Sequence, residues 1–427
     1  MQADALLHLN LNRHGGISRR NFLQSASLGI AGSALLSQFR LNAAELKKEG
    51  RSCILVWLAG APSQMETWDP KPGTPNGGET KKIATQTPGI EIAHYWPKIA
   101  AVMNDIAVIR SMTGKEAAHE RGTYHLHTGH RMLGIEKFPH FGSVVAREIG
   151  DPQSDIPNFV SIGQTLSSGF LGVQVAPFII DRPGQLPDNV FNNTPASRQQ
   201  RRLALLSQQE SDFADAGAAA LVKEQSKLYQ KANLMMLSPR LKAFEFDNEP
   251  TAMKEAYGKS QLGQGLLVAR RLVEVGVPFV EVRSGGWDMH SNVFKGMERR
   301  APDVDQGLSQ LLIDLKQRGL LEKTLVLCMG EFGRTPKINA RPPAPGRDHW
   351  VKNFNLLMAG AGIKGGQAIG KTDENGQKIV DSLVEVDDLF RSMCHAMKIN
   401  ADLELHTPIG RPVKLVESGT VIKGLFG

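Results

Sequence analysis

What most constrains this chain is a series of short, unbroken apolar runs, each leading into glycines and a cluster of charged or imidazole side chains. Cys53-Ile-Leu-Val-Trp-Leu58 leads into Gly60-Ala-Pro. Pro278-Phe-Val-Glu-Val282 leads into Gly285-Gly-Trp-Asp288-Met-His290, and Thr324-Leu-Val-Leu-Cys328 into Gly330-Glu331-Phe-Gly-Arg334. Strands covered on both faces read as continuous apolar runs, whereas half-solvated strands alternate. Ile106–Ile109, Phe159–Ile162 and Asn355–Met358 are further strand candidates.

Stretches of helical period lie between these runs. Gln261–Val275 feeds the strand at Pro278, and Val304–Gln317 sets Leu308, Leu311, Leu312 and Leu315 on one face before Gly319 stops it. Leu389, Phe390, Met393, Cys394 and Met397 form another stripe, with Asp387 or Asp388 as its cap. A largely helical segment covers about 197–275. Strands alternating with helices predict an α/β fold: a mostly parallel central sheet flanked by helices, in one domain over 45–427.

The first 44 residues are of another kind. Ser18-Arg19-Arg20-Asn-Phe-Leu23 precedes a weakly apolar run, Ser25–Leu36, which reads as a twin-arginine export signal. Ala43 and Ala44 mark a cleavage region without a clean Ala-x-Ala site, so retention as an anchor is a second expectation. Beyond this segment no run of 18 apolar residues occurs, and no membrane-spanning helix is expected. Export through this route carries folded, often cofactor-loaded chains, and the expected location is periplasmic.

Composition narrows the partners. With 41% apolar and 22% charged residues the chain is globular, neither disordered nor fibrous. Its net charge of +7 falls to about +4 without the first 44 residues and shows no long basic run. That composition favours anionic substrates and gives no sign of nucleic-acid binding. Three cysteines, Cys53, Cys328 and Cys394, are too few for a disulfide framework and read as small core residues.

The polar clusters carry the chemistry. Hard oxygen and imidazole groups at strand ends are the materials of an α/β metal site. Asp288 and His290, two apart in an extended loop, point the same way and can reach one ion. Glu331 can bind a cation while Arg334 offers an anionic substrate a two-pronged fork. In Gly346-Arg-Asp348-His349-Trp, His349 is the ligand and Asp348 either a second ligand or the group orienting one. Glu66, in Ser63-Gln-Met-Glu66-Thr-Trp-Asp69, is a further ligand candidate just past the first strand. The stretch His119–His130 holds four of the twelve histidines; on a helix His119, Thr123 and His127 share a face. Mixed oxygen and nitrogen ligands are compatible with zinc, manganese or calcium.

These motifs together resemble a known family: the twin-arginine-exported, sulfatase-like domain-of-unknown-function family DUF1501, in the alkaline-phosphatase superfamily. The resemblance rests on Ser-Arg-Arg-x-Phe-Leu, on residues 61–72, 285–292, 330–336 and 346–350, and on Gly410-Arg-Pro412. It implies ions held by carboxylates and histidines at the C-terminal ends of parallel strands, facing a phosphoryl or sulfuryl centre. Two departures stand out. Phe332 occupies the place of a ligand histidine in many relatives, and alignment on Thr128-Gly129 puts His119 where sulfatases carry their nucleophile. The expectation is an exported, divalent-metal-dependent hydrolase of phosphate or sulfate esters, with water attacking directly or with help from His119. The alternative is a non-catalytic envelope protein that binds metal or anions.

Overall fold

The run Ser52–Leu58 forms β1, every residue of it buried. A computed structural model describes residues 50–427, except Leu133, Ile135, Asp188, Asn189 and residues 191–195. The export segment expected over 1–44, with Arg19 and Arg20, lies outside the described residues. After β1 the main sheet adds β2 (Ile106–Met112), β3 (Phe159–Ile162), β4 (Phe178–Ile180), β5 (Phe279–Ser284), β6 (Thr324–Met329), β7 (Phe354–Ala359) and β8 (Gln367–Ile369). Across the sheet the order is β8-β2-β7-β6-β1-β5-β3-β4. Only β7 runs antiparallel to its neighbours, β2 and β6. The fold is thus the expected one, a mostly parallel sheet flanked by helices.

Five helices matter for the site: α1 (His119–Thr128), α2 (Phe141–Glu148), α3 (Gln261–Glu274), α4 (Val293–Gln317) and α5 (Val386–Ala396). Alternate strand residues serve opposite faces. Ile54, Val56, Val280 and Val282 join the main apolar core with residues of α3 and α4. Phe279 turns the other way, onto Phe141 of α2, which in turn meets Phe390 of α5. Among the described residues no helix is long and apolar enough to cross a membrane.

Several boundaries differ from expectation for physical reasons. α4 begins at Val293, not Val304, and runs through Pro302. Proline reads as a helix boundary because it lacks an N–H, but buried Val293, Phe294, Met297 and Ala301 hold the extra turns in place. α5 is capped by Glu385 and not by Asp387 or Asp388, and Asp388 instead answers Glu385 in a reciprocal capping box. The segment from 197 resolves into Ala196–Phe213 and Ala219–Met236, joined through a π turn at Ala214–Ala218, then Thr251–Tyr257 and α3. The three cysteines are buried and unpaired, as expected.

The topology places the site. β1 pairs in parallel with both β5 and β6, so three adjacent strands release their chains at one edge. Gly60 follows β1, Asp288 and His290 follow β5, and Glu331 and Arg334 follow β6.

Candidate metal centre

Gly60 lets the first two of these loops touch. Its φ is +110°, and a β-carbon there would fall 2.5 Å from the backbone nitrogen of Asp288, so only glycine fits. The β6 loop is drawn in by a two-residue antiparallel ribbon that pairs Arg334 with His349. Helix α1 closes the site by packing tightly at Gly122, where a β-carbon would meet the Phe332 ring at 2.9 Å. His119, the first residue of α1, is thereby delivered to the Asp288 carboxylate.

Four expected residues meet here. His119 Nε2 lies 3.2 Å from Asp288 Oδ2, while His290 Nε2 and His349 Nε2 lie 3.1 Å and 3.4 Å from Oδ1. The ligand-type atoms of His119, Asp288 and His349 all fall within 4.8 Å of one another. Phe332, expected only as a lost contact, packs its ring against both His119 and His349, 5.1 Å and 4.7 Å between centroids.

The protons decide what this cluster can do. His119 Nδ1 donates to Glu331 Oε1 (2.6 Å), His290 Nδ1 to Asp348 Oδ1 (2.7 Å) and His349 Nδ1 to the Ala117 carbonyl (2.7 Å). Each partner is an acceptor, so each Nδ1 carries the hydrogen, and a neutral imidazole has only one. All three Nε2 atoms therefore turn a lone pair toward Asp288. A carboxylate ringed by three imidazole lone pairs, each ring oriented by an acceptor behind it, is the arrangement of a metal centre with its outer hydrogen bonds.

The electrostatics fit. Burial works against the Asp288 carboxylate, but the hydrogen bond and charge of Arg334 bring its pKa down to about 2. Burial lowers that of His349 and so favours the neutral ring a metal needs. The Glu331 hydrogen bond raises that of His119 against the effect of burial. A metal ion held there would compete with a proton for His119 Nε2.

Three expectations need correcting, for Glu331, Arg334 and Glu66, and of the two given for Asp348 the geometry matches the orienting one. Glu331 and Asp348 stand behind the cluster as the groups that orient His119 and His290, with Gly60 N–H also donating to Glu331 Oε1 (2.9 Å). Arg334 offers no fork to a substrate: it is buried, and four N–H groups are engaged by the carbonyls of Gly60, Ala61 and Arg347 and by Asp288. Glu66 is no ligand. Both its oxygens are held by Arg347, at 2.8 Å and 2.7 Å, in an ion pair with 0% exposure on either side. That pair anchors the loop delivering Asp348 and His349.

A second cluster was missed. His127, His140 and Glu281 meet in the interior, with Thr165 donating to Glu281 Oε2 (2.7 Å). Its signal was a lone carboxylate inside the apolar run Phe-Val-Glu281-Val. Here the protons give the opposite result. His140 Nδ1 accepts from Gly142 N–H (2.7 Å), so its Nε2 carries the hydrogen and donates to Glu281 Oε2 (3.0 Å). His127 Nδ1 donates to the Thr123 carbonyl (2.8 Å), and its Nε2 lies 3.3 Å from Glu281 Oε1. With the His140 Nε2 hydrogen and the Thr165 hydroxyl both on Glu281 Oε2, this cluster lacks the three-imidazole lone-pair set of the first. A cavity of about 410 Å³ touches both, lined among others by His119, Asp288, Glu331, His127, Glu281 and Arg283.

The chain has been compared with known proteins. A family model described as "Protein of unknown function (DUF1501)" matches residues 50–426. No curated protein matches. Among solved structures, the PsFucS1 sulfatase from Pseudoalteromonas sp. is 13% identical, covering 86% of this chain and 72% of that one, with a TM-score of 0.39. A phosphonate monoester hydrolase of Agrobacterium radiobacter is 10% identical over 88% and 77% of the two chains, with a TM-score of 0.35. A TAB5 alkaline phosphatase mutant with bound Mg is 13% identical over 82% and 98%, also at 0.35. At these scores the likenesses carry no argument about chemistry.

Proposed function

We propose that this chain, which belongs to the DUF1501 family, is a metal-dependent hydrolase of phosphate or sulfate esters acting outside the cytoplasm. The observation that carries the reading is the convergence of three imidazole Nε2 atoms on Asp288, each ring held from behind through Nδ1. His119, Asp288, His290 and His349 would hold the ion, and three imidazoles with one carboxylate suit a zinc-type ion better than calcium. Bound there, a divalent ion supplies Lewis acidity toward an ester oxygen.

The remaining chemistry falls to the protein. With His119 as a ligand, the general base is Glu331. Its Oε2 is buried and has no hydrogen-bond partner among the described residues, and the residue lines the cavity. That free oxygen takes the proton of the attacking water while Oε1 keeps His119 in place. The nucleophile is water and not a thiol: burial pushes Cys328 and Cys394 up to about 12 and Cys53 further still. Export rests on the Arg19-Arg20 motif.

Elemental analysis of the dialysed protein, paired with assays on chromogenic phosphate monoesters, diesters and a sulfate ester, tests the reading. Metal with metal-dependent turnover supports it and names the ester. Metal without turnover on any of the three leaves a binding protein, and no metal removes the centre.

A further inference from the structure

We propose that Arg283 is the residue that binds the substrate's anionic group, a tetrahedral oxyanion, in the cavity it lines together with His119 and Asp288. The proposal rests on the metal-centre reading, which places the reacting group in that cavity. The sequence pointed to Arg334 for this task, but the structure commits Arg334 to backbone carbonyls and Asp288. The cavity still has to receive an anion. Its wall carries the carboxylates Glu120, Glu281, Asp288 and Glu331, and Arg283 is the one Lys or Arg side chain lining it.

Three observations place Arg283 for the role. It alternates with Glu281 on β5 and so faces the cavity with it, five residues before Asp288. Its stem rests on Gly163, where a β-carbon would come 3.1 Å from its own, and its Nη1 lies beside Gly285 on the loop leading to Asp288. Its guanidinium is exposed and makes no hydrogen bond or ion pair among the described residues. The other arginines of the region are engaged: Arg347 with Glu66, Arg341 with Asp348, Arg300 with the Gly285 carbonyl, Arg121 with Glu116. A planar fork without a partner, beside a lone-pair cluster, matches the non-bridging oxygens of a phosphoryl or sulfuryl group. Both Glu281 oxygens are occupied, facing His127 on one side and His140 and Thr165 on the other, so it does not compete for Arg283. Exposed Glu120 has no such partner and disfavours a second anionic group, so the substrate class is an ester with a single tetrahedral anion.

The test uses the full chain and inorganic phosphate as probe, with binding by calorimetry and metal content by elemental analysis on each sample. The expected result is phosphate binding that weakens at least tenfold in Arg283→Ala, recovers in part in Arg283→Lys, and leaves metal content unchanged in both. In steady-state assays on a turned-over ester, the loss in Arg283→Ala falls mainly on KM. Phosphate affinity within twofold of wild type in Arg283→Ala, or no phosphate binding by wild type, overturns the proposal. Absence of metal from wild type is a separate reading and counts against the metal centre, whatever phosphate does.

Discussion

His290 Nε2 and His349 Nε2 stand 3.0 Å apart, and with both rings neutral neither has a hydrogen to give the other. Asp348 and the Ala117 carbonyl hold the protons of these rings on the far nitrogens. Two facing lone pairs at that separation repel unless a cation or an added proton lies between them. A metal bound there would relieve that repulsion and use both atoms.

Metal content is the first expected outcome. His290→Ala and His349→Ala should lose the ion on dialysis, while Asp348→Asn, which alters only the group behind His290, should weaken metal affinity about 10–100-fold. Titration with a chromophoric chelator measures all three. Metal retention equal to wild type in both alanine variants would falsify the ligand assignment.

Glu331→Gln separates holding from reacting. A glutamine oxygen can still accept the His119 Nδ1 hydrogen, but its amide cannot take a proton from water. The expected result is near-wild-type metal content with kcat down about 10²–10⁴-fold, the range for a general base. Undiminished kcat in the metal-loaded variant would return the base's role to another group.

The Glu66–Arg347 pair governs stability and not chemistry. Arg347→Met leaves a fully buried carboxylate without its cation, at a cost of about 3–5 kcal/mol, to be read from urea unfolding. The double variant Glu66→Leu, Arg347→Met should regain much of that loss, because two apolar groups leave no stranded charge. A double variant as unstable as the single one would show that the polar contacts to Thr80, Asn76 and Pro336 matter more than the pair.

Acid should destabilise the fold through the buried histidine cluster. Burial first, against the Glu281 hydrogen bond, holds His140 at about 4, below the 6.5 of a free imidazole. The unfolded chain therefore takes up a proton that the folded chain refuses, and stability falls as pH drops from about 6.5 toward 4. For one proton the slope reaches about 1.4 kcal/mol per pH unit. Glu281 acts in the same sense lower down: burial raises its pKa, but His127 and His140 outweigh that and keep it depressed, so its contribution is lost as the acid limit is approached. Thermal midpoints from pH 8 to 4 should fall less steeply for His140→Gln, and an unchanged slope would exclude this origin.

Much of the framework was legible because coverage on both faces makes a strand uniformly apolar, as in β1 and β6. The same uniformity hid the direction of β7: Phe354–Ala359 reads alike either way, and its antiparallel course depends on the connections around it. In the site, Asp288, His290, His349 and His119 could be picked out as chemistry-bearing types beside glycines. The roles of Arg334 and Arg347 could not, since a guanidinium reads the same whether it faces solvent or is surrounded by carbonyls. The Ala117 carbonyl that orients His349 leaves no trace in sequence, because every residue has one.

Arg334 ties together backbone from two loops and a carboxylate from a third, and this has a consequence for biosynthesis. A chain emerging from the ribosome presents His119 and then Asp288 well before Arg334 and His349 exist. The loops cannot be drawn together, nor the last imidazole supplied, until more than three quarters of the polypeptide has been made. On the proposed reading, ion capture would be a terminal event in maturation, and a truncated product would lack a complete set of ligands.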